Sequence, residues 1–162
     1  MVLKEIALKL PNKPGALAGV ARLLAQERIN LAAISVDSSG PSGHVRMVVN
    51  DPDRAQRLLK ESGYPAESAE LIAVHLEDRA GSFLRVLDVL ARAKVNIDSV
   101  AILIAREGAE TLVALGTNEQ ARARKILQES GFISRGAERL VSNADLMATA
   151  PAIPAESVGL LL

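Results

Sequence analysis

Apolar Ile6, Leu8 and Leu10 alternate with Ala7 and Lys9, the period-two pattern of a strand buried on one face. Leu17, Val20, Ala21 and Leu24 then recur at helical spacing, and Leu31 to Val36 returns to strand-like composition. Beyond Asp37, Ser38-Ser39-Gly40-Pro41-Ser42-Gly43 is a turn cluster, so Val45 to Val49 is expected as the second arm of a hairpin. Asp51-Pro52-Asp53 carries an aspartate cap with proline in the first turn, followed by Ala55, Leu58 and Leu59 on one helical face, and Gly63 is the expected stop. Residues 66–70 close the unit as a short fourth strand, giving the order βαββαβ.

The pattern is then repeated. Asn12-Lys13-Pro14-Gly15-Ala16-Leu17 with Ile29-Asn30-Leu31 returns as Asp78-Arg79-Ala80-Gly81-Ser82-Phe83 with Val95-Asn96-Ile97, an offset of 66 residues. Leu10, Gly15, Val20, Leu24, Ala25 and Asn30 reappear unchanged as Leu76, Gly81, Val86, Leu90, Ala91 and Asn96. Ala55 to Gly63 answers Ala123 to Gly131 with the offset grown to 68, and the hairpin between these blocks is where two extra residues are absorbed. Such a period defines the architecture. We expect one unit over residues 1–70, a second over 71–140 and a tail over 141–162. In the second unit the predicted strands lie near 71–77, 97–105 and 110–116, and the helices near 81–94 and 117–130. Each unit should form a four-stranded antiparallel sheet with both helices on one face, a ferredoxin-like α+β arrangement. Val100 to Ala105 is apolar in both phases, which predicts cover on both faces or a place beside another unit.

Composition narrows the classes of function. Units of roughly 70 residues bury a limited share of their surface, so the two should share an apolar interface with each other or with a second chain, and self-association is expected. Basic and acidic side chains number 19 each, and they balance within both halves, so neither half is a polyanion-binding surface. Only Tyr64, Phe83 and Phe132 are aromatic, which leaves little for bases to stack on; nucleic-acid binding is not expected. There is no cysteine, excluding disulfides, thiolate metal sites and cysteine nucleophiles and fitting a reducing cytoplasm. No secretory pattern opens the chain and no charge-free run approaches the ~20 residues of a membrane span, so a soluble cytoplasmic protein without membrane association is the expectation.

A strand ending in Asn/Asp-x-Pro-Gly-x-Leu, an apolar helix, and (Ile/Val)-Asn-(Ile/Leu) opening the next strand resemble the ACT domain. The first copy matches more closely; the second has Ala80 in place of the proline. Together they cover about residues 1–140, and the chain resembles small stand-alone tandem ACT-domain proteins. The resemblance implies two tandem ferredoxin-like ACT units and a non-catalytic regulatory protein of amino-acid metabolism. It would bind a small-molecule effector, an amino acid, at the interface between units, with a homodimer and a partner enzyme as associates and no cofactor. The regulatory small subunit of a biosynthetic enzyme such as acetohydroxyacid synthase is the alternative, although the second half here is itself a repeat of the first.

In that family the pocket is built from the first strand-to-helix loop and the start of the second strand of a neighbouring unit. Carried over by position, the ligand-binding residues are Asn12, Gly15, Ala16 and Asn30 in the first unit and Asp78, Gly81, Ser82 and Asn96 in the second. A histidine found near the end of the first strand in some serine-binding members is replaced by Leu10 and Leu76, and a glycine common at the end of the first helix by Arg28 and Lys94.

Each of these residues also has a plain structural reading. Gly15 and Gly81 let a backbone approach a ligand beside free helix N–H groups, or merely permit a tight turn. Asn12 and Asp78 hold an ammonium group or cap the following helix. Asn30 and Asn96 bind a ligand's polar ends or close a helix-to-strand turn on their own backbone. His44 and His75 form no metal set, and Arg122, Arg124 and Lys125 read as a solvated helix face. No Ser/His/Asp arrangement, phosphate-cradling loop or acid pair is evident. The tail, with Pro151, Pro154 and terminal leucines, reads as flexible or as docked through those leucines.

Overall fold

The computed structural model describes residues 3–104, 110–133 and Asn143. Along the chain run β1 (Leu3–Pro11), α1 (Ala16–Gln26), β2 (Leu31–Ser39), β3 (Ser42–Val49), α2 (Pro52–Glu61), β4 (Glu67–Glu77), α3 (Ser82–Arg92), β5 (Ser99–Ile104), β6 (Glu110–Gly116) and α4 (Gln120–Glu129). The hairpin strands reach further into the turn cluster than their apolar residues alone predict, leaving Gly40 and Pro41 as the turn. Helix α2 begins as its cap requires: the Asp51 carboxylate accepts from the Arg54 N–H at 3.1 Å, with Pro52 in the first turn, where it forfeits no helical hydrogen bond.

All strand pairs are antiparallel, and the six strands form one sheet in the order β2-β3-β1-β4-β6-β5. The first four follow ferredoxin-like order. The difference from two separate sheets lies in β4, a single strand of 11 residues where two were expected. Residues 67–71 pair with β1, ending at Leu71 opposite Leu3, while residues 72–77 pair with β6, starting at Ile72 opposite Leu115. Between Ala66 and Glu77 there is neither glycine nor proline, so nothing turns the chain, and one strand closes the first half while opening the second. The boundary expected between residues 70 and 71 falls inside this strand, where its partner changes.

Strand periodicity sends alternate side chains to opposite faces. In the first half Ile6, Leu8 and Leu10 of β1 and Val45, Met47 and Val49 of β3 form one core with Val20 and Leu24 of α1 and Ala55 and Leu59 of α2. In the second, Ile72, Val74 and Leu76 pack with Val113, Leu115, Val86, Leu90, Ala123 and Leu127. The opposite phase makes a third core from Leu3, Val48, Leu71, Leu112 and Ala114, with Ala33, Ala73, Ala101 and Leu103 against it. Helix-free surfaces of both halves therefore face each other, the sheet folding over at β4 until β2 and β5 touch. This is the shared apolar interface that two small units need. A charged group sits within it: Glu5, 5% exposed, accepts from the Ser99 hydroxyl of β5 at 2.9 Å and from Arg46 of β3 at 3.4 Å.

Strand β5 divides its two apolar phases. Ala101 and Leu103 join the third core, whereas Val100 and Ile102 are 45% and 64% exposed. Ala105 lies outside the described residues, as do the tail expected over 141–162, Asn143 excepted, and the end of the second unit after residue 133. Asn143 is buried at 3% exposure. Its amide bridges β1 to β3 beyond their last paired residues: Lys4 N–H donates to Oδ1 at 2.9 Å, and Nδ2 donates to the carbonyls of Lys4 at 2.8 Å and Val49 at 2.7 Å.

Candidate functional site

The repeat fixes two strand-to-helix loops with the same backbone. Gly15 and Gly81 are the N-caps of α1 and α3, both at φ 85°, with ψ −15° and −9°. That left-handed conformation is ordinary for glycine and costs other residues roughly 1–2 kcal/mol. Neither helix receives a side-chain cap, so Asn12 and Asp78 do not cap it. The Ala16 and Ser82 N–H groups donate to the Lys13 and Arg79 carbonyls at 3.3 and 3.2 Å, and the next N–H groups of the first turn have no intrahelical acceptor. At the other end of each helix Arg28 and Lys94 take φ of 55° and 56°, a left-handed stop more often made by glycine.

The side chains on these two loops have different partners. In the first, Asn12 donates from Nδ2 to the Gly40 carbonyl at 3.0 Å and from its backbone N–H to the Pro41 carbonyl at 2.9 Å, binding the loop to the β2–β3 turn. Ala16 follows Gly15 and packs against the first core. In the second loop the Asp78 carboxylate is exposed and has no partner among the described residues. Ser82, in the place of Ala16, is 3% exposed, and its hydroxyl has no hydrogen-bond partner among the described residues. Arg79 pairs with Glu77.

A groove of about 180 Å³ opens beside this second loop. Asp78, Ser82 and the Glu77–Arg79 pair form its polar side; Leu76, Phe83, Val100, Ile102 and Val113 form its apolar side, with Thr111 between. Of the residues carried over from the family pattern, the structure thus brings Asp78 and Ser82 together, with Gly81 between them in the loop. The asparagines are elsewhere. Asn30 and Asn96 lie at the far ends of α1 and α3, whose eleven residues span about 16 Å. Both make local bonds: Asn30 Oδ1 accepts from the Leu31 N–H at 3.1 Å, and Asn96 Nδ2 donates to Asp98 at 2.9 Å. Asn30 is further tied to Asn50, its N–H donating to Oδ1 at 3.0 Å.

The groove residues that motif matching missed are Phe83, Val100, Ile102 and Thr111. For Val100 and Ile102 the signal is the run Val100 to Ala105, apolar in both phases, half of which the chain itself does not cover; Phe83 on α3 and Thr111 on β6 carry no such signal. The two histidines are exposed, His75 in the phase opposite to Ile72, Val74 and Leu76 as its position predicts. The basic run on α4 is solvated: Arg122 bonds Glu119 and the Ala93 carbonyl, each at 2.7 Å, and Lys125 faces Glu129. Among the described residues no cluster of three or more His, Asp or Glu could hold a metal ion, and no helix is long and apolar enough to cross a membrane.

Residues 4–61 match the family model described as the ACT domain, which shows over that span the resemblance carried by Asn12 to Leu17 and Ile29 to Leu31. No curated protein matches the chain. Among solved structures, a protein from Bacteroides thetaiotaomicron is 25% identical with a TM-score of 0.77, over 90% of this chain and 96% of that one. The regulatory subunit of aspartate kinase from Thermus thermophilus, in its ligand-free form, is 18% identical with a TM-score of 0.56, covering 80% and 93%. That from Thermus flavus is 17% identical with a TM-score of 0.51, covering 79% and 92%. At such identities the two kinase subunits share a fold with this chain.

Proposed function

We propose that the chain is a non-catalytic regulatory protein of two tandem ACT units that binds an amino acid and passes the binding energy to an enzyme of amino-acid metabolism. The observation that carries this reading is the groove beside Asp78, where a buried, unpartnered Ser82 hydroxyl and an open carboxylate meet an apolar wall. The ACT match over residues 4–61 and the shared fold with two kinase regulatory subunits support it. A glycine loop supplies N–H groups for a carboxylate, the acidic or amide side chain that opens the loop, Asp78 or Asn12, faces an ammonium group, and Asn30 or Asn96 of a neighbouring unit closes the pocket. Regulation then follows from differential affinity: the effector favours one arrangement of units and the partner recognises it.

A homodimer belongs to the same proposal, in the cytoplasm that the cysteine-free sequence suits. Ile34 and Val36 on edge strand β2 are exposed, as are Val100 and Ile102 on edge strand β5, and unpaired apolar edges favour a second chain. Sedimentation showing only a 17.1 kDa species at tens of micromolar would remove the dimer from the proposal.

A thermal-shift screen of the twenty amino acids and the common nucleotides tests the central reading. A ligand at 100 times Kd adds about 2.7 kcal/mol, roughly 5–10 °C for a chain of this size. No shift with any compound refutes amino-acid binding.

A further inference from the structure

Resting on that reading, we infer that the effector site is the second loop alone, Asp78 to Ser82, that the first loop serves the architecture, and that the effector is an amino acid with an aliphatic side chain. Both loops have a glycine N-cap at φ 85° and the same internal backbone bonds, Lys13 to Pro11 and Ala16 to Lys13 in one, Arg79 to Glu77 and Ser82 to Arg79 in the other, so glycine geometry and helix N–H groups do not distinguish them. Side chains do. Asn12 has its amide donor committed to Gly40 and its loop tied to the hairpin turn, and Ala16 offers no hydroxyl. Among the described residues Asp78 has no such tie, and Ser82 keeps a hydroxyl out of water with no partner. Buried polar atoms without partners are uncommon and ask for an explanation. A ligand oxygen placed against Oγ supplies one.

The chemistry around Ser82 orders the ligand. An ammonium group is attracted to the Asp78 carboxylate, whereas Glu77 is already neutralised by Arg79. A carboxylate fits the opposite pole, accepting from the Ser82 hydroxyl and from the first-turn N–H groups of α3 that follow Ser82, where the helix dipole favours negative charge; the Ser82 N–H itself is held by the Arg79 carbonyl. What extends beyond meets Leu76, Phe83, Val100, Ile102 and Val113. A charged or amide-bearing side chain would lose its water there without gaining partners; an aliphatic one covers Val100 and Ile102, which the chain itself leaves exposed.

Calorimetric titration of the full-length chain with L-valine, L-leucine and L-isoleucine, against L-serine, L-aspartate and L-lysine, tests the inference. The expected result is one site per chain, with an aliphatic amino acid bound at least tenfold more tightly than the polar ones. Ser82→Ala should move two readouts in opposite directions. Affinity falls about tenfold through loss of a buried hydrogen bond, while the melting temperature of the free chain stays level or rises by a few degrees, because a buried unpaired hydroxyl has gone. A merely structural serine would not give that pair of signs. Asp78→Asn should weaken binding at least tenfold without lowering the melting temperature. If Asn12→Ala costs as much affinity as Asp78→Asn, or two sites fill per chain, the assignment to the second loop is overturned while the chain remains an amino-acid binder. A best ligand with a charged side chain overturns the aliphatic class alone. No heat with any amino acid overturns the inference and the proposed function together.

Discussion

Asn143 offers the sharpest test of how the chain's last described residue supports the sheet. It sits where β1 and β3 part company. Ile6 is the first β1 residue paired with β3, opposite Met47, and the same register would place Lys4 opposite Val49. In place of a direct ladder bond, the Asn143 carboxamide lies between them, accepting from one peptide N–H and donating to two carbonyls. Asn143→Ala removes three hydrogen bonds at a net of about 0.5–1.5 kcal/mol each, and the Val49 carbonyl is too deeply buried for water to replace its donor. Lys4 is partly exposed and recovers some hydration. The expected cost is therefore about 2–4 kcal/mol, a large share of the roughly 5–15 kcal/mol that keeps a protein folded. Asn143→Asp should cost more at neutral pH, because it turns a donor towards two carbonyls into a buried negative charge. Urea denaturation of both variants measures this, alongside chains ending after residue 144 and after residue 142. The longer truncation product should match wild type, since residues 145–162 belong to neither repeat. The shorter should fall with Asn143→Ala. Equal midpoints for wild type and for the chain ending at residue 142 would refute the bridging role.

Leu24→Ala and Leu90→Ala, at equivalent buried positions of α1 and α3, should each cost about 2–5 kcal/mol by opening a cavity, with or without ligand, as chemical denaturation would show. Arg28→Gly and Lys94→Gly relieve left-handed backbone at exposed positions, so each should stabilise by roughly 0.5–1 kcal/mol; a lower midpoint would contradict the strain argument. A double-mutant cycle on Glu5→Ala and Ser99→Ala should give a coupling of about 1 kcal/mol if the two halves are joined through this bond in solution, and none if they are not.

Much of the fold was legible because it is written twice in local chemistry. Periodicity at Ile6, Leu8 and Leu10 and again at Ile72, Val74 and Leu76 gives strand phase, and Asp51-Pro52 with Gly63 bounds α2. The glycine loops were readable for the same reason: φ 85° at Gly15 and Gly81 is a demand on one residue type. Less was legible where the physics is non-local. The fusion of two expected strands into β4 depends on partners more than 30 residues away in β1 and β6, although the missing turn residues between Ala66 and Glu77 were a usable hint. Glu5 lies in the phase opposite to Ile6, Leu8 and Leu10, and only the folding over of the sheet buries it. Asn143 gave no sign at all, since a lone asparagine outside a repeat carries no periodicity.

The repeat also hides what separates its halves, and this bears on where a ligand acts. Duplication preserves the backbone of the loop, and with it every feature by which the loop is recognised, so motif matching ranks the two copies alike or favours the first for its proline. Function depends on the positions the motif leaves free. Ala16 against Ser82 is an exchange at a free position and Asn12 against Asp78 one at a position where the motif accepts either, yet Asn12 and Ala16 are satisfied inside the chain and Ser82 and Asp78 have no partner among the described residues. The copy that matches the family less closely is the one left with unsatisfied chemistry. Because both loops are joined through β4 and the third core, a ligand held at one would bear on a structure that extends to the other. A rigid element common to both halves, biased from one side, is the physical requirement for coupling between sites.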